Sequence, residues 1–188
     1  TRPEWKEKII MRDPRIAGGG QQQAMFWYLT SGLGVDFIKA LAANKVTLSR
    51  DPRLSAEQVA RGRYSILVVP DVGTLKDLQE AGAPLKQLEN IKEGAYITPS
   101  FGSTIAVDRA PHPKAAIVFL NWLLGKEGQT VWTKTSGYPS RRLDVPTDHL
   151  PTVMLPKPGI SYLPLYKEKY VNLKDEVIPV LNSIFAGF

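Results

Sequence analysis

The stretch Ile66-Leu67-Val68-Val69 is apolar with no polar alternate, the pattern of a short strand covered on both faces. A strand of that kind belongs in a parallel sheet sandwiched between helices, and the rest of the chain is organised accordingly. Lys8-Ile9-Ile10-Met11 is a second brief apolar run, stopped by Asp13-Pro14. Helical patterns follow each run. Residues 21–30 have helical composition, and Phe37, Ile38, Leu41 and Ala42 fall on one face of a helix over 36–43. Ser55-Ala56-Glu57-Gln58 reads as a capping box, with Gly62 just past the helix end. Thr74 is placed to cap a short helix that closes at Gly82.

Further along, Ser103-Thr104-Ile105-Ala106-Val107 is strand-like. Pro113 opens a helix ending at Gly125, with Ala116, Phe119, Leu120 and Leu123 on one side, and 127–135 reads as another. Six prolines from Pro139 to Pro164 make that stretch extended and irregular. A last helix is expected over 175–185, restarted or kinked by Pro179. The alternation predicts an α/β fold with a mostly parallel sheet flanked by helices.

Composition removes several functions. Cysteine is absent, so thiol nucleophiles, disulfides and thiolate metal centres are excluded together. The net charge of +6 is spread along the chain without a basic stripe interleaved with aromatics, and no nucleic-acid partner is expected. No stretch approaches the roughly 18 apolar residues of a membrane span. The chain opens at Thr1 instead of Met, which reads as a processed chain or a piece of a longer one.

The most suggestive local feature is Ala17-Gly18-Gly19-Gly20-Gln21, between the first strand and a helix. A glycine-rich turn into a helix N-terminus presents free backbone amides and the positive end of the helix dipole, where a carboxylate, phosphate or sulfate can settle. The same glycines would equally serve a turn that needs them only for its dihedrals. It is neither a Walker loop nor a dinucleotide fingerprint, since Gly-Lys-Ser/Thr and Gly-x-Gly-x-x-Gly are both missing. Asp71-Val72 leaves the covered strand at its carboxyl end, where ligands meet open parallel sheets, although an aspartate there also suits a turn bonded to its own backbone. His112 and His149 lie apart in proline-rich company and read as surface residues, and Phe26-Trp27-Tyr28 as helix packing. No nucleophile–base constellation stands out. The chemistry points to binding without turnover and without a cofactor.

Five segments in order carry a resemblance. Trp5-Lys6-Glu7-Lys8-Ile9 through Asp13-Pro14 resembles a W-K-G-K-I-x-x-x-D-P strand, with Glu7 in place of glycine. Val59-Ala60-Arg61-Gly62-Arg63-Tyr64, Ala110-Pro111-His112-Pro113-Lys114-Ala115-Ala116, Gly125-Lys126-Glu127-Gly128-Gln129 and Gly137-Tyr138-Pro139-Ser140-Arg141 resemble V-A-x-G-E-x, A-P-H-P-x-A-A, S-x-E-G-Q and G-x-Y-P-x-R. The set is similar to the type 2 extracytoplasmic solute-binding proteins of ABC importers, the group with iron(III)-, thiamine-, polyamine- and phosphonate-type binders.

The resemblance implies two α/β lobes closing on a small solute, periplasmic location, and delivery to the membrane subunits of an ABC permease. It implies that this chain holds the C-terminal half and lacks most of lobe one. Residues 1–98 would be second-lobe ligand-binding material, 99–145 a crossover strand with helices packing on the first lobe, and 146–188 an extended segment with a helix returning to lobe two. A chain so exposed would tend to self-associate. Ligand contacts carry over to Ala17, Gly18, Gly19, Gly20, Gln21, Asp71 and Val72. Iron-binding members place adjacent tyrosines where this chain has Pro70-Asp71-Val72-Gly73, which argues against tyrosinate iron. A small organic anion or zwitterion is the expected solute. Two other classes compete: the ligand-sensing domain of a transcriptional regulator, which would need a helix-turn-helix, and a small-molecule transferase, which would need a base near the glycines.

Overall fold

The computed structural model describes residues 1–88, 91–97 and 104–188. It is α/β, with parallel sheets flanked by helices, and it divides into two compact units: Thr1–Thr98 with Ser161–Phe188, and Pro99–Ile160.

The first unit is built on strand β1 (Ile9–Arg12), central in a sheet of order β2-β1-β3 with β2 (Thr47–Ser49) and β3 (Ile66–Val68) parallel on either side. Met11 pairs in register with Leu48 on one side and Val68 on the other. Parallel neighbours require helical crossovers, and these are α1 (Gly19–Leu29) with α2 (Gly34–Ala43), then α3 (Pro52–Ala60). Helix α4 (Val72–Glu80) follows β3, and strand β4 (Ala95–Ile97) pairs parallel with β5 (Tyr162–Pro164). The chain closes with α7 (Leu173–Ile184), which packs on α1 and α2.

The core collects the apolar faces of these elements. Ile9 and Met11 from β1, Phe26 and Trp27 from α1, Ile38 and Leu41 from α2, and Val177, Leu181 and Phe185 from the C-terminal segment are all buried together. Two of the aromatic run Phe26-Trp27-Tyr28 are thus core, with Trp27 edge-on to Phe37 at 5.3 Å. Pro179 lies inside α7 without ending it.

The second unit holds α5 (Pro113–Leu124) and α6 (Lys126–Ser136), joined at Gly125, which caps both. Gly128 sits against the backbone of Trp122 and Leu123, where any side chain would collide, so the corner between the helices is tight. Gln129 fixes that corner by donating Nε2–H to the Leu123 carbonyl (2.9 Å) and accepting from Ser140 Oγ (2.7 Å).

Several local expectations are corrected. Ser55 is not a cap: α3 starts at Pro52 with Asp51 capping it, and Ser55 is fully buried inside the helix, donating to the Asp51 carbonyl. Pro at the first helical position and a preceding Asp outweigh the capping-box spacing. Thr74 likewise lies within α4, whose cap is Asp71. Of the strand expected over 103–107, Ser103 lies outside the described residues, and 104–107 are exposed and irregular; the strand of this region is β4, at Ala95–Ile97. On α5, Ala116, Leu120 and Leu123 are half-buried, but Phe119 is exposed beside Trp122.

Candidate functional site

Strand β1 is followed by Asp13-Pro14 and then by the glycine turn. Gly18 takes φ 132° and ψ −159°, conformations open to glycine, and stands at the N-cap of α1 without any side-chain cap. The first intrahelical acceptor is its own carbonyl, which receives Gln22 N–H at 3.0 Å. The amides of Gly19, Gly20 and Gln21 lie in the first turn of the helix, ahead of that bond and without a side-chain cap. Ala17 and Gly18 are exposed, Gly19 and Gln21 half-buried, and Gly20 buried.

Two of these glycines have steric reasons. A Cβ on Gly20 would stand 2.7 Å from the Arg12 carbonyl oxygen and 2.8 Å from that of Asp13, so only glycine lets α1 begin against the end of β1. A Cβ on Gly19 would meet Val69 Cγ1 at 2.7 Å. That contact makes neighbours of the glycine turn and the turn after β3. Val69 itself has φ 63°, a strained value for a β-branched residue, and one that precedes a proline.

Asp71 and Val72 lie in this second turn. Asp71 is the N-cap of α4: its Oδ1 accepts from Thr74 N–H (2.9 Å) and Thr74 Oγ1 (3.0 Å). Val72 is the first helical residue and half-buried. No contact of Asp71 with the glycine turn appears among the described residues; Val69 makes the connection.

Arg12 is the site residue that the reading of the sequence missed. It ends β1, is half-buried, and its Nη1 is 3.9 Å from where a Gly19 Cβ would be. No hydrogen bond or ion pair engages its guanidinium among the described residues. Its positive charge also acts on Tyr96 of β4, whose phenol is pushed up to about 12, chiefly by burial and against the pull of Arg12. Tyr96 is therefore a neutral phenol at any ordinary pH, packed on Phe26 with ring centroids 5.7 Å apart. The signal for Arg12 was its place: a cation on the last residue of a central parallel strand meets the same carboxyl-edge rule that singled out Asp71.

Next to it, Asp13 is buried and ion-paired. Its carboxylate receives Arg15 Nε–H on Oδ1 and Nη2–H on Oδ2, both at 2.9 Å, and the Arg15 amide on Oδ1 at 3.0 Å. The Arg15 hydrogen bonds hold the Asp13 carboxyl below its usual range, with Arg50 adding to the effect.

The arrangement is thus an uncapped helix start and an unpaired guanidinium at the carboxyl edge of a parallel sheet. It can take the negative group of a small molecule. Among the described residues no group of three or more His, Asp or Glu could hold a metal ion, and no helix is long and apolar enough to cross a membrane.

The family model for bacterial extracellular solute-binding proteins matches residues 1–138. No curated protein matches the chain.

Proposed function

Since the chain belongs to the bacterial extracellular solute-binding proteins, we propose that it captures a small organic anion or zwitterion at the Gly18–Gly20 turn and delivers it to an ABC permease. Binding a solute outside the cytoplasm is the family's role; the anion, the permease and a type 2 two-lobed architecture in the periplasm are the finer reading.

The observation that carries the anion is Arg12. A half-buried guanidinium with no carboxylate paired to it among the described residues, beside a helix start without a side-chain cap, is complementary to a carboxylate, sulfonate or phosphonate. Ala17 and Gln21 flank the amides. Asp71 spends Oδ1 on the cap of α4, leaving Oδ2 for an ammonium or hydroxyl of the solute, with Val72 beside it. Nothing in this reading turns the solute over: the groups present hold charge and donate hydrogen bonds.

The test is thermal-shift and native mass spectrometry screening of the chain against organic anions, amino acids, polyamines and ferric ion. A saturating solute should raise the melting temperature by roughly 5 °C or more. Arg12→Gln and Gly19→Asp should each remove that shift, the second by placing a carboxylate where the solute's own would lie. Stabilisation by polyamines or ferric ion alone, or by an anion that both variants still bind, would overturn the reading.

A further inference from the structure

Arg15 carries three contacts that tie together parts of the chain 170 residues apart. Its Nε–H and Nη2–H grip both oxygens of buried Asp13, and its Nη1–H donates to the carbonyl of Phe185 at 2.8 Å. Phe185 is the C-cap of α7 and fully buried, and its carbonyl, at the helix end, accepts from Phe188 N–H at 3.2 Å as well as from Arg15. A cation there also faces the negative end of the α7 dipole.

The glycine turn begins two residues after Arg15. Its residues 18–20 have no side chains with which to anchor themselves, and 17–18 are exposed. What fixes the turn is therefore at its two ends. On the helix side Gly20 is wedged against the carbonyls of Arg12 and Asp13. On the strand side the chain is pinned at Arg15, with Ile16 N–H bonded to the Asp13 carbonyl at 3.4 Å.

We infer that Arg15 is a positioning residue of the solute site, a latch through which the C-terminal end of α7 and the end of β1 together hold the glycine turn in place. The inference deepens the proposed anion site and rests on it for its use, though not for its test. Three of its five N–H groups are committed to Asp13 and Phe185, so its role here is to hold the turn. The bidentate fork plus a third donor is a job a lysine cannot do, because an ammonium is a point charge without the planar fork.

The experiment is hydrogen exchange read by mass spectrometry on the solute-free chain, comparing wild type with Arg15→Met, Arg15→Lys and Asp13→Asn. Val177→Ala, a core truncation in α7, serves as a control for general loss of stability. Each latch variant should speed exchange on the order of tenfold in peptides covering 22–26, where the hydrogen-bonded amides of α1 begin, and 184–188 together, while α3 stays protected. Val177→Ala should not single out 22–26. Should the methionine variant fail to fold, the lysine and asparagine variants give the same reading, since each breaks only part of the grip. Acceleration at 184–188 alone would reduce Arg15 to a helix cap, and a uniform rise across the chain to a stabilising ion pair. Either result overturns the latch. A chain that binds no anion but shows the paired acceleration would leave the latch standing and remove the solute reading.

Discussion

Glu7 and Lys45 form an ion pair, Oε1 to Nζ 3.1 Å, while both hold a left-handed backbone, at φ 62° and 52°. Left-handed geometry costs an L-residue about 1–2 kcal/mol, and the pair offsets little of this, since both side chains are over 60% exposed and screened by water. The strain also accounts for the glycine that the resembled strand pattern carries at position 7. Glu7→Gly is expected to stabilise the chain by about 0.5–1 kcal/mol, because glycine reaches this φ freely but loses more entropy on folding. The urea midpoint should rise with an unchanged m-value; a fall would mean the ion pair outweighs the strain.

Gly20 and Gly19 should respond differently to alanine. At Gly20 the added methyl meets backbone oxygens at 2.7 and 2.8 Å, and the start of α1 must move off β1. At Gly19 it meets the Val69 side chain, which can yield by rotating. Gly20→Ala is expected to cost about 2–3 kcal/mol and Gly19→Ala about 1 kcal/mol or less. Denaturant titration of the two variants side by side decides it, and equal costs would refute the packing argument.

Asp13 gives the fold a dependence on acid. Arg15 makes its carboxyl harder to protonate in the folded chain than in the unfolded one. Its contribution is therefore complete above the ordinary aspartate value near 4 and fades as the pH falls through that value to the lower folded one. Asp13→Asn should flatten the loss of stability below about pH 4 and cost about 1–3 kcal/mol at neutral pH, since Arg15 loses its charged partner. Melting curves from pH 7 down to about 2.5 would show this; parallel curves for the two proteins would assign the acid sensitivity elsewhere.

What the sequence conveyed well was set by local rules. Helix α5 starts at Pro113 and stops before Gly125 because proline and glycine act within one turn, and β1 and β3 were apolar runs too short and too bounded to be anything else. Cap positions were less legible. Asp51 and Ser55, like Asp71 and Thr74, lie three or four residues apart, and each of the four is an acceptable cap on its own. Strand β4 was hidden because its partner β5 lies far along the chain, so its pairing leaves no local trace. The site followed the same division. The glycine turn was visible as glycines, and its steric need for Gly20 came only from the approach of the β1 carbonyls. Arg12 had only its place at the carboxyl edge to mark it, since an arginine at the end of a strand is ordinarily solvated; in the structure the adjacent Asp13 carboxylate is taken by Arg15.

Asp71 is where cap and solute contact must be separated, and its two oxygens make this possible. Oδ1 carries both bonds to Thr74, so Asp71→Ala should lose the cap of α4 and about 1 kcal/mol of stability. Serine caps as well as aspartate does but has no carboxylate. Asp71→Ser should therefore keep the melting temperature of the wild type within about 1–2 °C. If Oδ2 meets an ammonium or hydroxyl of the solute, the serine variant should still bind about tenfold more weakly the zwitterion that stabilises the wild type. It should bind a simple anion without that group as well as before. Calorimetric titration of wild type, Asp71→Ser and Asp71→Ala with one zwitterion and one plain anion separates the roles, and equal affinities in wild type and serine variant for both would leave Asp71 a helix cap alone.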